Sequence, residues 1–189
     1  MFEIRIHGRG GQGVVTAAEL LSVAAFFEDR HAQAVPTFGS ERTGAPVIAY
    51  CRIADRPIRT REPITAPDAL VIQDPTLLHQ VDLFAGLKDD GYLLVNTVTG
   101  LAALGLDDVT DRLDPARVRT IGATDIARRE LGRPLPNAAM LGAFAALTGQ
   151  VSLAAVTRAI EDRFGGTAAT GNVAAARAAH DLIAQAAGV

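Results

Sequence analysis

Four glycines in six residues, the run Gly8, Arg9, Gly10, Gly11, Gln12, Gly13, separate a short alternating stretch from a long apolar one, and nothing else in the chain restricts its fold as strongly. The preceding "EIRI" alternates as a strand from Glu3 to His7, and "VVTAAELLSVAAFFEDR" from Val14 repeats apolar residues at helical spacing. Strand, tight glycine turn and helix open a doubly wound fold, and here GxGxxG stands where a dinucleotide fingerprint must stand. Backbone amides at such a helix start have no intrahelical partner, so an anion lodged there gains roughly a kcal/mol or more. Arg9 offers a second, mobile charge. Two sharper functions fail on the residues themselves. A phosphate loop for ATP hydrolysis needs Lys and Ser or Thr after the last glycine, whereas Val14 and Val15 follow Gly13. A dinucleotide site needs a carboxylate about 20 residues further on for the ribose, whereas this chain reads "AQAVPTFG" there. The same glycines also suit a turn that serves only close helix–strand packing, and spacing alone leaves both uses open.

The remaining pattern extends the α/β scheme. A short strand around "HAQAV" precedes the loop "PTFGSERTGAP"; "VIAYCRIA", the turn "DRP" and "IRTR" read as a β-hairpin or edge meander. "ALVIQD" and "YLLVNT" are buried parallel strands, with a helix expected in "PTLLHQVDLFAGL" between them. "ARVRTIGAT" gives one more strand before a short helix in "DIARREL". After "GRPLPN" the chain turns helical, with Asn137, Ser152 and Asn172 as N-caps and Gly149 and Gly165 as stops. The expectation is one domain over 1–189, a Rossmann-like, doubly wound, mostly parallel sheet with an edge β-hairpin and a helical C-terminal part.

The loop after the second strand matters for function, because ligands of doubly wound sheets bind outside the carboxyl ends of the strands. Phe38, Gly39, Ser40, Glu41, Arg42 and Thr43 are then expected to share a crevice with the glycine turn, with Arg42 binding an anionic group and Glu41 orienting it. An exposed turn with a weak surface ion pair satisfies the same spacing. Several classes are disfavoured outright. A net charge of -3 with scattered arginines gives no footprint for nucleic acid. The uncharged interval Pro134 to Thr157 is broken by Pro136, Asn137, Gly149, Gln150 and Ser152, so it reads as two packed helices and no membrane insertion is expected. The single cysteine, Cys51, allows no disulfide framework and no iron–sulfur cluster held by this chain alone. With no export signal at "MFEIRIHG", a cytoplasmic location is expected.

Taken in order, "GRGGQGVVTAAELL", "FGSERTGAPVIAYCRI", "DRPI", "PDALVIQDPTLL", "PNAAMLGAFA" and a closing helix near "GNVAAAR" resemble the gamma subunit of 2-oxoacid:acceptor oxidoreductases, of the pyruvate:ferredoxin oxidoreductase type, whose relatives include phenylglyoxylate dehydrogenase. The resemblance covers nearly the whole chain. Indolepyruvate-type subunits share the glycine loop but differ in the second, so "FGSERTGAPV" favours the pyruvate-type branch. It implies a complex of alpha, beta and delta-type partners. They carry thiamine diphosphate, Mg²⁺ and [4Fe-4S] clusters, convert a 2-oxoacid to its acyl-CoA, and pass electrons to ferredoxin or another acceptor. For this chain it implies contact with coenzyme A and packing against the catalytic subunits. No catalytic nucleophile is expected here. Gly8 to Gly13 would cradle the phosphates, with Arg9 and Arg42 as charge partners.

Other polar residues carry weaker expectations. Gln12 and Asn137 suit either ligand contact or local backbone pairing, and Asn137 fits an N-cap. His7, beside the loop, reads as structural rather than phosphate-binding, and Cys51 as core. His31, His79 and His180 lack metal-ligand spacing. Two rival functions remain: a free-standing oxidoreductase that binds NAD(P)H, and an assembly module whose glycine loop binds no ligand. The 2-oxoacid itself stays open among pyruvate, 2-oxoglutarate, branched-chain and aryl acids.

Overall fold

The computed structural model of the chain describes residues 1–36 and 44–186. Six strands form one sheet in the order β2-β3-β1-β4-β5-β6, where β1 is Phe2–Arg9, β2 His31–Pro36, β3 Pro46–Ala54, β4 Ala69–Ile72, β5 Tyr92–Asn96 and β6 Val118–Ile121. Only β3 runs against the others: it pairs antiparallel with β1 and β2, while β1, β4, β5 and β6 pair in parallel. The edge hairpin is therefore β2–β3, closed by the second loop. Residues 58–61, expected as its partner strand, are irregular. β4 and β5 read as near-continuous apolar runs because helices cover one of their faces and other segments the opposite one.

The helices are α1 Val14–Phe26, α2 Asp107–Thr110, α3 Ala123–Leu131, α4 Asn137–Thr148, α5 Leu153–Arg163 and α6 Gly166–Ala186. Ile4, Ile6, Cys51, Val71 and Leu94 pack beneath α1, α4, α5 and α6 in the larger core. On the other face Leu70, Ile72, Leu93 and Val95 meet Leu77, Leu83, Leu87 and Leu113. The expected helix between β4 and β5 is absent there: a 3₁₀ turn, Pro75–His79, gives way to turns. The cause is Arg5. Its buried guanidinium donates to the carbonyls of Leu83 and Ala85 at 2.7 and 2.8 Å, and the first of these is an acceptor that a helix running to Leu87 would use for itself. Arg52 acts the same way on the segment after β3. It donates to the Glu62 carbonyl at 2.6 Å and to Glu3 at 2.8 Å, so side chains rather than a strand ladder hold that segment down.

The uncharged stretch forms α4 and α5, separated by Gly149 in a left-handed conformation, and no helix among the described residues is long and apolar enough to cross a membrane. Ser152 caps α5 by accepting from the Ala155 amide at 3.1 Å. Ser152→Ala is expected to lower unfolding free energy by about 1 kcal/mol in urea titrations, whereas an unchanged midpoint would show the cap to be idle. The other two expected caps are corrected. α6 starts earlier, at Gly166, which leaves Asn172 inside the helix donating to the Ala168 carbonyl at 2.8 Å. Asn137 follows the cap position, held by Pro136, and lies in the first turn of α4.

Candidate functional site

β1 delivers Gly8 and Arg9 to the carboxyl edge of the sheet, and Gly10 to Gly13 turn the chain into α1. Gly13 makes the turn with φ 75°, a left-handed backbone that a side chain resists, and a Cβ there would stand 2.8 Å from the amide nitrogen of Asn137. Asn137 is thus packed on the glycine loop. Its Oδ1 is buried and has no hydrogen-bond partner among the described residues. No side chain caps α1 and no acidic residue occupies its first turn, so its leading amides keep their donor capacity and positive potential. A cavity of about 300 Å³ opens at this point, lined by Arg9, Gly10, Gly11, Gly13, the first turn of α1 and Val47.

The end of the second loop, Gly44 and Ala45, lies at the same place. Gly10 donates to the Ala45 carbonyl at 2.9 Å and accepts from the Gly44 amide at 3.1 Å, which stitches the end of that loop to the glycine turn. Phe38, Gly39, Ser40, Glu41, Arg42 and Thr43, all expected at the site, lie outside the described residues.

Arg9 is not the mobile charge its position suggests. It lies 3.2 Å from the Asp74 carboxylate and donates to Thr76 Oγ1 at 2.7 and 3.1 Å and to the Gly44 carbonyl at 3.0 Å. Gln12 is likewise occupied, accepting from the Arg9 amide at 2.7 Å and donating to Asp74 at 2.7 Å. Burial pushes the Asp74 carboxyl up, but hydrogen bonds from Thr76 and Gln12 and the Arg9 charge outweigh it and hold the group below the usual carboxylate range. Asp74 and Thr76 follow β4, the parallel neighbour of β1, so the bridge Arg9–Gln12–Asp74 spans the point where the strand order reverses, the position at which such sheets bind ligands.

A second cavity, of about 270 Å³, lies beyond Gln12, with Gln73, Asp74, Asn96, Thr124 and Asp125 in its wall. Asn96 closes its floor: Nδ2 donates to the Gln73 carbonyl at 2.7 Å and to Thr124 Oγ1 at 2.8 Å, while Oδ1 accepts from the Thr124 amide at 3.1 Å. Gln73 is 1% exposed, and neither atom of its side-chain amide has a partner among the described residues. Such a group costs about 1–3 kcal/mol until it is paired. Sequence reasoning assigned none of Gln73, Asp74, Asn96 and Thr124 to the site. The signal for the first three was the polar pair closing "ALVIQD" and the asparagine near the end of "YLLVNT".

His7 is 4% exposed with Nε2 unpartnered among the described residues, and Cys51 is fully buried, its thiol pushed up to about 12 chiefly by burial. No group of three or more His, Cys, Asp or Glu side chains able to hold a metal occurs among the described residues.

With this geometry in view, residues 3–182 match the family described as pyruvate ferredoxin/flavodoxin oxidoreductase. A pyruvate synthase subunit PorC from Methanothermobacter marburgensis is 47% identical over 181 residues, 96% of this chain and 97% of that one. The common gamma subunit of pyruvate/ketoisovalerate oxidoreductases from Pyrococcus abyssi is 47% identical over 183 residues, with 96% of each chain covered. The crystal structure of the pyruvate oxidoreductase subunit PORC from Thermotoga maritima superimposes with a TM-score of 0.80 at 38% identity over 95% of both chains.

Proposed function

The chain belongs to the pyruvate ferredoxin/flavodoxin oxidoreductase family, and from that premise we propose that it is the gamma-type subunit of a multisubunit 2-oxoacid oxidoreductase, contributing coenzyme A binding and subunit packing. The observation that carries the ligand assignment is the uncapped, acid-free start of α1 behind a left-handed glycine, open to a cavity and stitched to the second loop. That arrangement suits the phosphates of coenzyme A: amides of Gly11 and of Gly13 to Val15 meet the anion, Arg9 shapes the rim from its ion pair with Asp74, and Arg42 with Glu41 supplies charge from Phe38–Thr43.

The chain's part in the reaction is to bind and orient. The carbanion chemistry belongs to thiamine diphosphate, held with Mg²⁺ and [4Fe-4S] clusters on alpha, beta and delta-type partners in the cytoplasm, with ferredoxin or another acceptor taking the electrons. Pyruvate is the first candidate substrate, with 2-oxoglutarate, branched-chain and aryl 2-oxoacids as alternatives. A Pyrococcus relative named as common to pyruvate and ketoisovalerate enzymes fits a subunit that does not itself choose the acid.

Arg42→Ala in the assembled complex tests the site. Loss of a charge-assisted contact predicts a coenzyme A affinity about 10- to 100-fold weaker with the subunits still associated. Unchanged affinity with dissociated subunits would instead make the loop an assembly device, and NAD(P)H binding by the isolated chain would support a free-standing dinucleotide enzyme.

A further inference from the structure

The cavity beyond Gln12 has a chemistry different from that of the glycine cradle. Its wall holds the carboxylates of Asp74 and Asp125 and, among the described residues, no Lys or Arg and no aromatic ring. A phosphate would be repelled there, and a nucleobase would find nothing to stack on. The other polar side chains in the wall include several already committed. Gln12 and Asp74 bond each other, and Asn96 bonds Gln73 and Thr124. Gln73 is the exception. Its main chain is fixed, the amide donating to the His7 carbonyl at 2.7 Å and the carbonyl accepting from Asn96, yet its side-chain donor and acceptor are both unpaired among the described residues. A primary amide with a free donor and a free acceptor is complemented by a ligand amide. A trans secondary amide carries its C=O and N–H on opposite edges, so it meets Gln73 through one of them and leaves the other Gln73 group to a neighbouring polar atom of the same ligand.

We propose that this crevice is a subsite for a secondary amide, which pairs with the side chain of Gln73 once that amide turns into the cavity. Resting on the coenzyme A reading above, the amide is one of those in the pantetheine arm. The phosphates lie in the glycine cradle on the other side of Gln12, so the ligand straddles the Arg9–Gln12–Asp74 bridge.

The test is calorimetric titration of the assembled complex, wild type and Gln73→Met, with coenzyme A and with adenosine 3′,5′-bisphosphate, which keeps phosphates but lacks the pantetheine arm. Methionine keeps the length and removes the orphan amide. The expected result is a higher melting temperature together with an affinity for coenzyme A about tenfold weaker and an unchanged affinity for the bisphosphate. A higher melting temperature with unchanged coenzyme A affinity would overturn the subsite while leaving the cradle assignment intact. A lower melting temperature would make Gln73 a structural residue, and weakened subunit assembly alone would give the crevice to a partner's main chain; both overturn the proposal. Failure of the wild-type complex to bind coenzyme A would instead remove the reading on which it rests.

Discussion

Gly142→Ala is expected to destabilise the protein by about 3 kcal/mol, an overpacking cost at the upper end of those seen in well-packed cores. Gly142 lies mid-way along α4, whose side chains are buried from Asn137 to Ala145. A Cβ at this position would fall far inside contact distance of the carbonyl group of Ala176 on α6. A clash with a flexible side chain could be relieved by a rotamer change. A clash with the backbone of a neighbouring helix cannot, so α4 and α6 must move apart and lose the close contact that their alanines allow. For a chain of this length 3 kcal/mol corresponds to a drop in melting temperature of about 10 °C. The effect reaches the site as well, since α4 begins at Asn137, the residue packed on Gly13. Gly100→Ala is the control: no atom outside its own neighbours lies within 4 Å of that Cβ, and a shift within about 0.5 kcal/mol is expected. Equal melting temperatures for the two variants would contradict the packing described for α4 and α6.

The second large effect is acid sensitivity through His7. Burial, assisted by the nearby Arg5 charge, depresses its imidazole from the ordinary 6.5 to about 4. In the unfolded chain the ring takes up a proton near its ordinary value, while in the folded chain it stays neutral until much lower pH. Stability is therefore fully present above about pH 6.5 and is lost as pH falls toward 4, a total of about 3 kcal/mol at 1.36 kcal/mol per unit. Asp74 acts in the same direction but in a lower window, because its carboxyl is depressed below the usual range and its contribution disappears only as it becomes protonated. His7→Phe should flatten urea-derived stability between pH 6.5 and 4 and leave the steeper loss at lower pH. An unaltered slope in that variant would assign the acid sensitivity to other groups.

What the sequence made legible followed from local rules. β1, the glycine turn and α1 were readable from two periodicities joined by residues that permit a left-handed backbone, and β4 and β5 from apolar runs that only a doubly covered strand supports. The misreadings share a physical cause, long-range satisfaction of backbone groups. Arg5 and Arg52 occupy alternate positions of β1 and β3 that pattern alone gives to solvent, yet both are buried beneath the irregular segments whose carbonyls they bind, which removes the expected helix after β4 and the expected strand after β3. At the site, GxGxxG carried the expectation of an anion cradle, but Arg9 and Gln12 are engaged by Asp74 and Thr76, more than sixty residues away, so their availability was not a local property. Gln73 and Asn96 became visible only once the parallel register brought the ends of β4 and β5 together.

The most direct measurement of the central claim is purification of the tagged chain from its native host. The eluate is assayed for thiamine diphosphate, iron and coenzyme A-dependent oxidation of a panel of 2-oxoacids. The account predicts co-purifying subunits that carry those cofactors and turn over at least one 2-oxoacid only when coenzyme A is supplied. A chain that elutes alone, without thiamine or iron and without such activity, would contradict it.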